Sequence, residues 1–283
     1  TRWLGHSPKF SLGMSGTPHS MIRFQLFGSP ELQHDDGTDL RKLLAGPKRL
    51  ALLTYLSIAA PGEFHRRDTL LALLWPEVSD RRARGSLRNT LHVLRQHLGP
   101  HTLENRGADE VRIVPGAIET DVVAFRNAYA EERWADALDL YRGDLLPGFF
   151  VSGAPGFEDW LDRERSRLNR AAFQAAWALA EAEEAAGDSA AAARRARDAA
   201  RLVPLDEEAV RRLIRLLDRL GDRAGALETY EHFAQRLAAE LYGEPSPETS
   251  ALIEEIGARD RLHGGNEPDP DDEPSIDAVP PPD

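Results

Sequence analysis

The hydrophobic and polar positions between residues 80 and 99 predict an amphipathic helix. Apolar residues recur at helical spacing along one side, at Ala83, Leu87, Leu91, Leu94 and Leu98. A basic row follows a second line about 100° around the axis, at Arg81, Arg84, Arg88, His92 and Arg95. At about 1.5 Å per residue, the basic row extends for about 20 Å, a length that suits the major groove of DNA, which admits one helix. A basic face is equally typical of an ordinary solvated helix.

Shorter patterns before this helix predict two strands and two further helices. Residues 22–35 alternate between apolar and polar positions on either side of a Gly and Pro turn, which indicates paired strands. Pro47 introduces an apolar helix, and a second helix follows over residues 66–75. A polar loop then leads to the basic helix, with Ser79 or Asp80 placed to cap it.

Two short β-type segments follow the basic helix. Thr102–Asn105 and Glu110–Val114 flank a turn at Gly107–Asp109, which predicts a hairpin. The order of strands, helix, helix, turn, basic helix and hairpin is typical of a winged helix-turn-helix, whose second motif helix enters the major groove. Arg106 and Arg112 lie on the predicted wing, where DNA contact and plain solvation are equally open.

Beyond Thr120 the pattern changes to helices rich in Ala, Leu, Arg and Glu. The dipeptides Gly187-Asp188 and Gly221-Asp222 recur 34 residues apart, each at a predicted helix turn. This is the spacing of tetratricopeptide repeats, which stack helical hairpins into a concave surface. An ordinary helical bundle is the alternative interpretation.

These patterns predict a mainly α protein, in which an α+β winged helix-turn-helix domain is followed by an all-α tetratricopeptide-like helical repeat domain. The predicted divisions are a disordered leader (1–20), the winged helix (21–116), the repeats (117–262) and a disordered acidic, Pro-rich tail (263–283).

Charge is distributed unevenly along the chain, whose net charge is -12. Residues 21–116 carry 14 Lys or Arg against 11 Asp or Glu, whereas residues 117–263 carry 19 against 29. This asymmetry fits one nucleic-acid-binding module on a chain that otherwise repels phosphate. The chain has no cysteine, which excludes disulfides and thiolate metal sites and fits a reducing cytoplasm.

Signals for catalysis, cofactors and membrane insertion are missing from the sequence. It contains neither a GxSxG nucleophile turn nor a GxxxxGK[ST] phosphate loop, so we expect no enzyme, no cofactor and no ATP-driven switch. His92, His97 and His101 do not share one helical face, so we expect no metal site. No apolar run reaches the roughly 18 residues of a membrane-spanning helix.

Several blocks of sequence, in the same order, resemble the SARP-type bacterial transcriptional activators. These proteins join an OmpR/PhoB-like winged helix to a tetratricopeptide-like bacterial transcriptional activator domain. The resemblance extends over residues 21 to 256, in the blocks LLTYL, RRDTLLALLWPE, RGSLRNTLHVLRQHLG, RIVPG with ETDVVAF, YRGDLLPGF, WLDRERSRL and ALETYEHFAQRLAAELYGEPSPET.

The resemblance implies a sequence-specific DNA-binding regulator, an activator that binds promoter repeats, with dimerisation on DNA, and contacts RNA polymerase through the Pro76–Asp80 loop. The residues predicted to face the groove are Arg84, Arg88, Asn89, His92 and Arg95. Those predicted to contact phosphates are Arg81, Arg82, Lys48 and Arg49. The competing hypothesis is a tetratricopeptide-type interaction scaffold without specific DNA binding.

Overall fold

The computed structural model describes residues 21–264. The predicted leader (1–20) and the predicted tail from residue 265 onward lie outside the described residues. The last helix reaches Gly264, so the first two residues of the predicted tail are helical. The chain divides into two compact units between Leu168 and Asn169. In the part of the chain that the structure describes, no helix is both long enough and apolar enough to cross a membrane.

The first unit contains two small sheets and the helices packed on them. Its elements are β1 (Ile22–Gln25), β2 (Glu31–His34), a 3-10 helix (Arg41–Ala45), α1 (Pro47–Ile58), β3 (His65–Arg66), α2 (Arg67–Leu74), α3 (Asp80–Leu98), β4 (Leu103–Arg106), β5 (Glu110–Ile113), β6 (Ile118–Thr120), α4 (Asp121–Ala130), α5 (Trp134–Leu140) and the start of α6 (Pro155–Ala185). This order confirms the predicted winged helix-turn-helix.

The first sheet has the strand order β2–β1–β6. β1 pairs antiparallel with β2 and parallel with β6, so that Phe24 lies opposite both Leu32 and Thr120. Ile22 and Phe24 are buried because alternate residues of a strand face the same side. The sequence pattern does not predict β6, since three residues are too few to display an alternation.

The second sheet contains the wing, which is the hairpin of β4 and β5. Arg106 lies opposite Glu110 at its end, and Gly107 in the turn has a φ of 62°, which glycine adopts without steric cost. β3 pairs with the other side of β5. The predicted helix over residues 66–75 therefore begins one residue later, at Arg67, because Arg66 belongs to a strand.

Helix α3 has the buried and open faces that its sequence predicts. All five apolar positions are buried, at Ala83, Leu87, Leu91, Leu94 and Leu98. Ser79 occupies the N-cap position, but its side chain makes no capping hydrogen bond, so the predicted cap is wrong in its chemistry. The carboxylate of Asp80 instead accepts a hydrogen bond from Nε of Arg84 at 3.1 Å.

Asp121, the first residue of α4, fastens this helix to the end of β1. Its carboxylate accepts hydrogen bonds from the backbone N–H groups of Leu26, Phe27 and Val122 at 2.9 to 3.1 Å. Burial raises the pKa of this carboxyl group, and the N–H donors oppose the rise. The carboxylate thus satisfies donors that would otherwise be unpaired at a strand end and a helix start.

A buried ion pair joins α1, α4 and the start of α6. The carboxylate of Glu164, only 8% exposed, accepts from Nη2 of Arg126 at 2.6 Å and from Nη1 of Arg167 at 2.9 Å. Arg126 also donates to the backbone oxygen of Ile58 at 2.5 Å. Burial lowers the pKa of Arg126, while the charge of Glu164 raises it.

The second unit is all α, as predicted. It contains the rest of α6, α7 (Ser189–Leu202), α8 (Glu207–Arg219), α9 (Arg223–Leu241) and α10 (Pro247–Gly264). Gly187 and Gly221 have φ values of 84° and 80°, and Asp188 and Asp222 each accept a hydrogen bond at 2.9 Å from the backbone N–H three residues later. The 34-residue recurrence therefore marks two equivalent helix turns. The boundary predicted at residue 117 stays a prediction.

Candidate nucleic-acid interface

The packing of α3 fixes which of its faces meets solvent. Leu91 and Leu94, at the middle of its apolar side, are 1% and 0% exposed. Burying one leucine side chain stabilises a fold by about 1.5–3 kcal/mol, so five apolar positions set the rotation of the helix about its axis. The basic row consequently lies outside the core, next to the wing.

Three arginines of α3 are exposed and have no acidic partner: Arg81, Arg82 and Arg88. Asn89 and His92 are exposed beside them. Across residues 21–264, no hydrogen bond or ion pair engages any of these five side chains. Their donors are free, and Arg and Asn are the side chains that bond guanine and adenine edges in bidentate fashion.

Arg84 is the one member of the basic row that pairs with carboxylates of the described residues. It lies 3.1 Å from Asp68 on α2 and 3.1 Å from Asp80 at the start of α3. Its side chain is 50% exposed, and such surface pairs contribute about 0–1 kcal/mol. The pairs hold this guanidinium between the two helices of the motif without sealing it from solvent.

Arg95, at the far end of the basic row, points to the wing. Its Nη2 donates to Oδ1 of Asn105 on β4 at 2.7 Å, and Nη2 of Arg67 donates to the same oxygen at 3.1 Å. Burial lowers the pKa of Arg95, and the positive charge of Arg67 lowers it further. Two guanidinium groups therefore share a single neutral acceptor.

The two wing arginines are held by carboxylates and by one aromatic ring. Arg106 pairs with Glu110, and Arg112 pairs with Glu104 at 2.7 Å. Both guanidinium carbons lie close to the ring centroid of Phe64, at 4.4 Å and 4.3 Å. This cation–π arrangement stiffens the base of the wing.

Lys48 and Arg49, the predicted phosphate contacts of α1, are both half-buried at the start of that helix. Nζ of Lys48 lies 5.6 Å from the ring centroid of Trp75, and Nε of Arg49 donates to the backbone oxygen of Leu43 at 2.5 Å. The structure gives both cations an intramolecular contact, and their role in DNA binding stays a prediction.

The sequence pattern misses three residues of this surface, namely Phe64, Arg67 and Asn105. Arg67 and Asn105 meet because β3 pairs with β5 and brings the start of α2 beside the wing, and Phe64, just before β3, contacts the two wing arginines. The basic dipeptide at Arg66 and Arg67 is the one local signal that marks this place. A pairing between two short strands, whose paired residues are 44 and 46 positions apart, leaves no periodicity in either segment.

Ligands for a metal ion are not grouped here. Among residues 21–264, no three His, Cys, Asp or Glu side chains form a group that could hold a metal ion. His97 Nδ1 lies 2.9 Å from the backbone oxygen of Val93, inside its own helix. The exposed side chains of α3 include guanidinium and amide groups, whose chemistry suits phosphates and base edges.

The match to a known protein family concerns the part of the chain that follows the wing. Residues 120–257 match the family model of the bacterial transcriptional activator domain. The resemblance to the SARP-type bacterial transcriptional activators that the sequence predicts is thereby confirmed.

A solved structure extends the likeness over both units. The structure described as Mycobacterium tuberculosis EmbR in complex with low affinity phosphopeptide matches this chain with a TM-score of 0.60 and 24% sequence identity. The match covers 85% of this chain and 66% of the EmbR chain, so the present chain spans slightly less than two thirds of EmbR. At this identity the comparison shows a shared fold. No curated protein sequence matches the chain.

Proposed function

We propose that this protein is a sequence-specific DNA-binding transcriptional regulator that acts in the cytoplasm as an activator. The observation that carries the proposal is the set of unpaired side chains on α3, which stand on a helix whose opposite face is fixed by buried leucines. In a winged helix-turn-helix this second helix of the motif occupies the major groove. The matched activator domain supports the role in transcription.

The residues divide into two roles. Arg88, Asn89 and His92 lie at the middle of the open face, where base edges are within reach, and a bidentate pair with a base contributes about 1–3 kcal/mol of discrimination. Arg81 and Arg82 at the start of α3, with Lys48 and Arg49, contact the phosphate backbone and set the register. The wing arginines act against the backbone beside the groove.

Activation requires contact with RNA polymerase, and we assign it to the loop between α2 and α3. This loop, Pro76–Ser79, contains exposed residues and lies beside the segment after Phe149, since Gly153 approaches the carboxylate of Glu77. Phe150 in that segment is 66% exposed, which is unusual for a large apolar side chain. Repeated promoter half-sites would bring two copies together on DNA.

The proposal is tested by measuring how DNA affinity depends on salt. Fragments of the protein's own genome are selected for binding, and one duplex is then titrated by fluorescence anisotropy at several salt concentrations. Each phosphate contact contributes about -0.9 to the slope of log K against log salt. The change Arg81→Ala with Arg82→Ala should therefore flatten the slope by about 2, as each arginine contacts one phosphate.

The matched control is Arg215→Ala, which removes an exposed arginine from α8, an amphipathic helix of the second unit. Its slope and affinity should equal those of the wild type. A wild-type protein that binds no duplex would overturn the proposal and favour the interaction scaffold. Equal binding to all duplexes, with a slope that Arg81→Ala with Arg82→Ala leaves unchanged, would do the same.

A further inference from the structure

The junction of α2, α3 and the wing contains two like charges that no carboxylate neutralises. Nη2 of Arg67 and Nη2 of Arg95 both donate to Oδ1 of Asn105. Only the amide oxygen can accept both bonds, since guanidinium groups are donors without acceptors. Within residues 21–264, neither arginine forms an ion pair with an acidic side chain.

One further donor at this junction lacks an acceptor. Nε of Arg67 is buried and has no hydrogen-bond partner among the described residues. Arg67 is also the first residue of α2, and the N-cap residue Arg66 supplies no capping side chain. The N-terminal end of α2 carries a partial positive charge, and Asp68 in its first turn pairs with Arg84 rather than with Arg67 or Arg95. An acceptor with negative charge is the group that this junction lacks.

We propose that Arg67 and Arg95, oriented by Asn105, bind one backbone phosphate of duplex DNA. This inference rests on the proposed function and adds to it a phosphate site between the recognition helix and the wing. Two guanidinium groups match the oxygens of a phosphate, and charged acceptors form shorter and stronger hydrogen bonds than an amide oxygen does. The phosphate therefore displaces the amide oxygen as the main acceptor.

Asn105 acts as a positioning residue in this site. It is exposed on β4, so DNA can approach the junction from solvent, while Arg67 and Arg95 are half-buried behind it. The amide holds both guanidinium groups in one orientation before DNA binds, which reduces the side-chain freedom lost on binding. The alternative role for the same contacts is a structural bridge that only fastens the wing to α2 and α3.

Two substitutions of Asn105 separate these roles. Asn105→Asp keeps the side-chain shape and supplies a carboxylate that pairs with both arginines and competes with phosphate. We expect it to weaken duplex binding by about tenfold and to flatten the salt slope by about 0.9, one phosphate contact. Asn105→Ala removes the bridge but leaves both cations free, so its slope should equal that of the wild type, with affinity reduced by at most about threefold.

Thermal unfolding of the same variants supplies the readout for folding. Asn105→Asp should unfold at or above the wild-type temperature, because the added carboxylate relieves the repulsion between two cations. The inference is overturned if Asn105→Asp binds the duplex with wild-type affinity and slope. It is equally overturned if both variants lose affinity alike and both unfold earlier, which is the result that a structural bridge predicts.

A second measurement does not depend on DNA binding. Inorganic phosphate is added to the full chain, and the Nε–H resonances of Arg67 and Arg95 are followed by NMR, with Arg67→Lys and Arg95→Lys as assignment controls. Phosphate should shift both resonances in the wild type and neither in Asn105→Asp. Unmoved wild-type resonances overturn the site. If the resonances shift but the wild type binds no duplex, the phosphate site is correct and only the proposed DNA-binding function is wrong.

Discussion

Two arginine-rich amphipathic helices of this protein, α3 and α8, use the same side chain in opposite ways. In α8 every arginine pairs with a glutamate: Arg211 with Glu207 and Glu208, Arg212 with Glu181, Arg215 with Glu208, and Arg219 with Glu184. In α3, of five arginines, Arg84 alone pairs with carboxylates of the described residues. Both helices bury a leucine-rich face, so the hydrophobic pattern does not distinguish them.

The difference lies in the supply of carboxylates. α8 begins with Glu207 and Glu208 and lies beside glutamates of α6, whereas the first turn of α3 contains Asp80 as its one acidic residue. Arg212 and Arg219 hold α8 to α6 through their glutamates, whereas unpaired arginines keep their donors for a ligand. The comparison teaches that the function of a basic stripe follows from its acidic neighbours rather than from its own spacing.

The largest expected effect comes from breaking the most buried arginine pairing described above. Glu164→Ala removes the carboxylate from Arg126, whose side chain is 29% exposed, and removing one partner of a buried ion pair costs up to about 3–5 kcal/mol. Urea denaturation should show this loss in the free energy of unfolding. Glu119→Ala, at an exposed position of β6, is the control and should change it by less than about 0.5 kcal/mol. Equal losses in the two variants would contradict the structural role assigned to paired arginines.

The opposite result is expected for an unpaired arginine. Arg88→Ala should weaken binding to the selected duplex by about 1–3 kcal/mol, because one bidentate base contact is lost. Its unfolding free energy should stay within about 0.5 kcal/mol of the wild type, since nothing in the described residues bonds to its guanidinium. Anisotropy titrations with the selected duplex and with single-base variants measure the loss and the position it affects. A variant that keeps full affinity and base preference removes Arg88 from the interface.

Much of this fold is predictable from local pattern because its helices carry complete apolar faces. The five buried positions of α3 and the two Gly-Asp turns follow from spacing alone. The parts that are missed, β3 and β6, contain two and three residues, and each forms only by pairing with a distant strand. Their positions depend on tertiary contacts, which override the weak preferences of such short segments.

The candidate site is predictable to a smaller extent. Helical geometry places Arg88 and Asn89 on an open face. It does not reveal which cationic side chains pair with carboxylates in the folded chain. Arg84 is predicted like Arg88, yet two aspartates pair with it, one of them 16 residues away. Asn105 is invisible to helical periodicity because its partners come from two other elements.

A smaller effect is expected in α8. Arg212→Ala removes the ion pair with Glu181 at 2.7 Å and the cation–π contact with the ring of Trp177 at 4.4 Å. The side chain of Arg212 is 41% exposed, so the free energy of unfolding should fall by about 1 kcal/mol. Trp fluorescence during urea unfolding reports this change, and duplex binding should equal that of the wild type. Weaker DNA binding by this variant would extend the interface to the second unit and end the contrast between α3 and α8.

The smallest expected effect is a pH dependence of stability that arises in α8, the helix whose arginines all pair with glutamates. Partial burial raises the pKa of Glu207, but hydrogen bonds from Ser246 and Thr249 outweigh it and hold the pKa below its ordinary value of 4.5. A carboxyl group with a lowered folded-state pKa stabilises the fold fully above its unfolded-state pKa, and this stability is lost as pH falls through the folded-state pKa. The wild type should therefore lose stability below pH 4.5 more steeply than Glu207→Gln, which cannot titrate.

The free energies of unfolding of the wild type and of Glu207→Gln are measured at each pH. The difference between them reports the contribution of this one carboxyl group. The difference between them should be constant above pH 4.5 and shrink below it. A difference that stays constant down to the acid end would show that Glu207 is not tied to its partners, and that α8 differs from α3 less than its ion pairs indicate.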